Sequence, residues 1–172
     1  MKGFLMSLEK YIIATLFLLM AITIDAQKTT SVSIKAQATV IDKAEIELVT
    51  IKYLDIDAGM AVNGIINVSA KRDGQAGVMM VKGRPDANFR ISFAPVVEIP
   101  NSAGKGSLSL KYEMFGYSSD NQGASEPIDA AARTLKINSD GKYYFWLGGL
   151  IDISKARPGK YEGEFTLEIE YI

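Results

Sequence analysis

The chain reads as an all-β protein: one antiparallel β-sandwich of immunoglobulin-like type. Three observations predict it. Apolar and polar residues alternate with a period of two in one segment after another, as in strands with one buried and one wet face. Turn-forming pairs (Asn63-Gly64, Asp73-Gly74, Asp140-Gly141, Pro158-Gly159) separate these segments at the spacing of roughly 8 to 15 residues that suits sandwiches. No regular strand–helix alternation occurs, which argues against a parallel α/β sheet.

The elements follow in order. Val32, Ile34, Ala36, Ala38 and Val40 alternate with Ser33, Lys35, Gln37 and Thr39. They predict a strand over residues 31–41 with small residues inside, interrupted at Asp42-Lys43. Ile46 to Ile51 reads as a more fully buried strand, ending near Asp55–Gly59. Ile65 to Ala70 is a short strand, and Val78 to Val81 is an apolar segment before the turn cluster Gly83-Arg84-Pro85-Asp86. Phe89, Ile91 and Phe93 alternate with Arg90 and Ser92. Pro95 and Pro100 bound Val96–Ile99, which belongs at a sheet edge because proline cannot donate to a ladder. Leu108, Leu110, Tyr112, Met114 and Gly116 form the next alternating set. Ser118–Asp129 is the longest loop, and Ile128–Arg133 carries a weak signal for one helical turn. Leu135 and Ile137 open a strand that turns at Asp140-Gly141, and Lys142–Ile153 follows.

The final segment alternates most strongly. Tyr161, Gly163, Phe165, Leu167, Ile169 and Tyr171 point one way; Glu162, Glu164, Thr166, Glu168 and Glu170 point the other. Chain ends usually fray. A terminus this well patterned suits a strand that closes the core or pairs with another chain, and its charged face discourages uncontrolled edge pairing.

Lys2 and Lys10 precede the apolar run Tyr11–Ile24, and Ala26 offers a small residue for cleavage. This pattern describes a secretory signal peptide over residues 1–26, the run being shorter than the roughly 20 residues of a membrane span. The mature part, residues 27–172, is then one β-sandwich domain with no membrane span, exported to the periplasm, cell surface or exterior. The formal net charge is −1, so no basic field is present for nucleic acid. The absence of cysteine and histidine removes thiol chemistry, the commonest zinc ligands and every Ser-His or Cys-His dyad.

Three segments, ANFRISF (Ala87–Phe93), FWLGGLIDI (Phe145–Ile153) and RPGKYEGEFTLEIEYI (Arg157–Ile172), together resemble an uncharacterised secreted bacterial family of domains of unknown function. That family is related to spore coat protein U and to chaperone–usher pilins. The resemblance covers most of residues 36–172. Pilins of this class end in an alternating strand with a penultimate tyrosine and a glycine fourteenth from the end; Tyr171 and Gly159 stand at those positions. The disulfide that such pilins often carry is absent. The resemblance implies a pilin-like sandwich, a structural or adhesion role rather than catalysis, and assembly by β-strand complementation, in which a neighbour's N-terminal segment fills a groove. The strand-pairing candidates are Val32, Ile34 and Ala36 on the donor side and Gly159, Phe165, Leu167, Ile169 and Tyr171 on the acceptor side. The implied partners are further copies or related subunits meeting through edge strands, and a periplasmic chaperone. The plainer reading, and the one preferred from the residues, makes 31–41 the domain's own first strand, since alternation does not say which sheet a strand joins.

Other candidates carry weaker signals. Tyr144 and Trp146 share a parity within Tyr143–Trp146 and offer a platform for a glycan, the alternative function being a secreted ligand-binding sandwich; core packing explains the cluster more simply. Asp55 and Asp57, and the group Asp120, Asn121, Glu126 and Asp129, hold too few oxygens for a calcium cage, so no metal or cofactor is expected. A carboxylate pair among Glu162, Glu164, Glu168 and Glu170 has a spacing compatible with glycoside hydrolysis, but no cleft is indicated. Gly148-Gly149 lacks nucleotide-loop spacing and marks a bulge or a close backbone approach.

Overall fold

The computed structural model describes residues 30–40, 46–104, 106–131 and 133–172, and of the side chains in 30–40 only those of Val32 and Ile34. The expected signal peptide and the Asp42-Lys43 interruption lie outside these residues. The described residues form twelve strands: β1 (Thr30–Val40), β2 (Glu47–Lys52), β3 (Leu54–Asp57), β4 (Ile65–Val68), β5 (Gly77–Lys82), β6 (Asn88–Phe93), β7 (Val96–Pro100), β8 (Ser107–Tyr117), β9 (Glu126–Pro127), β10 (Arg133–Lys136), β11 (Lys142–Asp152) and β12 (Gly159–Tyr171). Two sheets form a single sandwich. The first runs β10-β6-β12-β1-β3; the second runs β2-β5-β11-β8-β7, with β4 also on β11 and β9 on β8. Every pairing is antiparallel except that of β1 with β12.

Local chemistry explains the joints. Asn63 and Gly64 take φ of 53° and 78°, and Val62 and Ile65 exchange backbone hydrogen bonds across them. That is the two-residue hairpin with positive φ at both positions that Asn-Gly favours. Gly148 marks a close approach of chains: a Cβ there would lie 2.2 Å from the Val68 carbonyl oxygen and 2.5 Å from the Ala70 nitrogen. β7 ends the second sheet between its prolines, as a strand with weakened donor capacity should.

Two expectations fail. The segment from Ile46 is not more fully buried than its neighbours: β2 is the opposite end of the second sheet, and Ile51 is 52% exposed, because an edge strand has one flank and part of one face in solvent. Ile128–Arg133 forms no helical turn among the described residues. The Ile128 N–H donates instead to the Met114 carbonyl, drawing the chain along the β8 edge before it enters β10.

The core fills the space between the sheets. Phe165 meets Tyr112 at 4.7 Å and Phe93 at 5.7 Å between ring centroids, and Phe89 meets Tyr143 at 5.5 Å. Burying each such ring contributes roughly 1.5–3 kcal/mol. Burial also pushes the Tyr143 phenol up to about 12 and the Tyr112 phenol upward, with smaller opposed effects on Tyr143 from Arg133 and Glu126. The buried Tyr112 hydroxyl has no hydrogen-bond partner among the described residues. Because the folded state holds these protons more tightly, the unfolded chain ionises first. Their stabilising contribution is complete below pH about 10 and is lost as pH rises above it. Denaturant titrations should therefore show a midpoint falling progressively above pH about 10, with tyrosinate absorbance from these two rings appearing only on unfolding. Ordinary titration of both rings in the folded protein would contradict this.

Candidate functional site

The feature with the clearest chemical consequence is the seat of β1. Thr30 to Val40 pairs in parallel with β12 along its whole length, from Thr30 against Gly159 to Val40 against Ile169. On its other flank β1 pairs antiparallel with β3, from Ser31 against Asp57 to Ile34 against Leu54. Among the described residues β1 is the only sheet neighbour of β3, so it joins β3 to the rest of the first sheet. Val32 and Ile34 are 1% and 0% exposed. The groove they occupy is walled by Leu54 and Ile56 of β3 and by Tyr161, Phe165, Leu167 and Ile169 of β12, all buried. The plainer reading of 31–41, a strand of this domain pairing with the last strand, describes this arrangement; its last residue, Ile41, lies outside the described residues.

Two strands at opposite ends of the chain meet here in parallel. A parallel pair needs a long crossover, and in this protein the crossover is the entire remainder of the domain. The contacts of β1 with β12 therefore bear the loop-closure cost of the intervening chain, whereas those with β3 are close in sequence.

The sequence-selected acceptor residues fall into three groups. Phe165, Leu167 and Ile169 lie in the groove opposite Ala36, Ala38 and Val40. Gly159 starts the ladder with φ of +151°, and a Cβ there would lie 2.6 Å from Asn101 Nδ2. The glycine thus lets the buried Asn101 turn meet the start of β12; the Asn101 carbonyl oxygen of the side chain accepts the Ala103 N–H at 2.8 Å. Tyr171 stands apart. It lies beyond the end of β1, opposite Phe89 of β6, is half-buried, and accepts the Arg84 N–H at 3.0 Å while the guanidinium sits 5.1 Å from its ring centroid. Its grouping with the groove residues is corrected: alternation places it on the right face, but the strand outruns the groove.

Three groove residues escaped the selection. Tyr161 is 1% exposed and donates to the Arg157 carbonyl at 2.9 Å. Gly163 lies opposite Ile34, and Ile99 of β7 packs against it from the other side. The signal for Gly163 was present as the one small residue in a face otherwise made of large ones. Nothing in the pattern marks Ile99, because β7 belongs to the other sheet and reaches β12 only through the fold.

The remaining candidates are also placed. Tyr144 and Trp146 stack on the outer face of β11 with centroids 6.3 Å apart and planes 24° apart. Trp146, however, is 2% exposed, so it offers no accessible platform for a sugar. The glycan-contact assignment of Trp146 is corrected, since an outward-facing residue can be covered by neighbouring chain. Asp57 accepts the Gly59 N–H at 2.7 Å as the cap of a short 3-10 turn, Asn121 caps another, and Glu126 pairs with Arg133. No group of three acidic, histidine or cysteine residues suited to a metal occurs among the described residues. The glutamates of β12 face solvent: Glu162 meets Lys160 at 2.7 Å and Glu168 accepts from Ser92 at 2.9 Å. Two surface clefts are present among the described residues: one of about 460 Å³ beside Asn67, Lys111, Glu113 and Leu150, which Asp129 and Gly149 also border, and one of about 380 Å³ beside Phe93 and Val97, which brings Glu164 and Glu168 together with Phe165. No helix among the described residues is long and apolar enough to cross a membrane.

No curated protein matches the chain. Residues 38–171 match the model of the domain of unknown function DUF4402, so that all of the sandwich except the first eight residues of β1 is covered, and on that match the chain belongs to this family.

Proposed function

We propose that this protein is an exported, non-enzymatic structural or adhesion-type subunit of the cell envelope, resembling pilin and spore-coat-U subunits, and that it assembles by β-strand complementation. One observation carries the reading. β1 fills a groove between β12 and β3, with two fully buried anchors at Val32 and Ile34. The matched domain begins at residue 38, so both anchors lie ahead of it. A strand in such a groove takes its affinity from main-chain bonds and its selectivity from alternate side chains, and an identical strand from another copy makes the same contacts. The partner is a second copy or a related subunit, and a periplasmic chaperone is the natural holder of the groove before assembly.

Mixing two differently labelled preparations of the protein at high concentration tests the reading. Mixed-label oligomers should accumulate over time, and an excess of a peptide spanning residues 30–40 should suppress them. A protein that stays monomeric at every concentration, with no mixed species, would remove strand exchange as its mode of assembly.

A further inference from the structure

Gly163 interrupts the large residues on the buried face of β12, and it does so opposite Ile34. A Cβ at this position would lie 3.2 Å from both Cγ1 and Cγ2 of Ile99 and 3.3 Å from Cδ1 of Ile34. These distances are tighter than ordinary van der Waals contact, so the space left by the missing side chain is already taken. One part is filled by β7 and the other by the tip of Ile34, which is wholly buried.

We propose that Gly163 is the specificity-determining residue of the β1 groove. It selects a strand lying parallel to β12 that presents a long, branched apolar side chain at the position paired with residue 163. The inference deepens the strand-complementation reading and rests on it for partners in trans, where the strand is residues 30–40 of a second copy. Within β1, only Ile34 meets the requirement. A slip of one residue would bring Ser33 or Lys35 to Gly163 and turn every side chain to the other face. A slip of two would bring Val32, one carbon shorter, or Ala36, which leaves the hollow empty. The glycine therefore pins register as well as identity, in a strand whose other inward-parity residues (Val32, Ala36, Ala38, Val40) would tolerate sliding.

Amide exchange of β1 in the full chain provides the test. Gly163→Ala should raise the exchange rate of β1 amides about tenfold, as expected for overpacking at a buried site. Adding Ile34→Val, which deletes the Cδ1 atom in the way, should return the rate to within about threefold of the original. Adding Ile99→Ala instead removes the two 3.2 Å contacts but leaves Cδ1 of Ile34 in the way at 3.3 Å, so the rate should stay above that of the Gly163→Ala/Ile34→Val protein. Relief by Ile99→Ala and not by Ile34→Val, or no response of β1 to Gly163→Ala, overturns the proposal.

The unaltered protein gives a second readout, should Gly163→Ala fail to fold. Labelled peptides spanning residues 30–40 compete for the groove, and the parent peptide should be captured at least about tenfold better than its Ile34→Ala version, as expected for loss of a buried branched side chain. Equal capture of the two overturns the selectivity of Gly163. Capture of neither overturns exchange in trans, and the amide-exchange result alone then decides whether Gly163 selects Ile34 within the chain.

Discussion

A chain lacking residues 27–40 is expected to lose its cooperative unfolding transition in the absence of an added strand. Val32 and Ile34 each bury a side chain worth roughly 1.5–3 kcal/mol. Their removal also uncovers Leu54, Ile56, Tyr161, Phe165, Leu167 and Ile169, all buried in the intact domain. The ladder lost is 11 residues long on the β12 side, and β3 loses the strand that ties it to the first sheet. The total, about 5 kcal/mol or more, is comparable with the whole stability of an ordinary domain, about 5–15 kcal/mol. Equilibrium denaturation followed by circular dichroism checks the effect, and a peptide spanning residues 30–40 should restore the transition in a concentration-dependent way. A truncated chain that unfolds cooperatively within about 1 kcal/mol of the intact protein would show β1 to be an ornament on a finished sandwich.

Phe165→Ala should be the most damaging single substitution in β12, costing about 3–5 kcal/mol. The ring is 1% exposed and touches Tyr112 from the opposite sheet and Phe93 from its own. Its backbone partner in β1 is residue 36. Phe93→Ala should cost less, because that ring is only half-buried and part of its surface is already in water. Urea midpoints at constant slope measure both. A loss below about 1.5 kcal/mol for Phe165→Ala would mean that the cavity is readily refilled.

Much of the architecture was legible in the sequence because its cause is local. Alternation marks a half-buried strand wherever it occurs, so β1, β6, β8 and β12 could be read directly from residue order. Asn63-Gly64 announced its hairpin through a conformation that few other pairs adopt. The difficulties arose where burial depends on a distant neighbour. Ile46–Ile51 is apolar enough for a central strand, yet it forms an edge because no strand among the described residues lies beyond β2. Trp146 has the parity of the outer face of β11 and is still buried; the chain at Val68 and Ala70 approaches that same face at Gly148. Tyr171 keeps the parity of the groove residues, but the groove ends at Ile169, where β1 ends.

The candidate site divides along the same line. Residue order by itself determined that two strongly patterned strands stand at the two ends of this chain, that one face of each is apolar, and that no histidine or cysteine chemistry is available. Tertiary structure alone decided that these strands are parallel neighbours, that β1 joins β3 to β12, and that the hollow at Gly163 is shared by Ile34 and Ile99. The physical reason is that a period of two states which face is buried but carries no term for the partner, the direction or the register. Those are set by contacts between residues that lie far apart along the chain and meet only once the sandwich has closed.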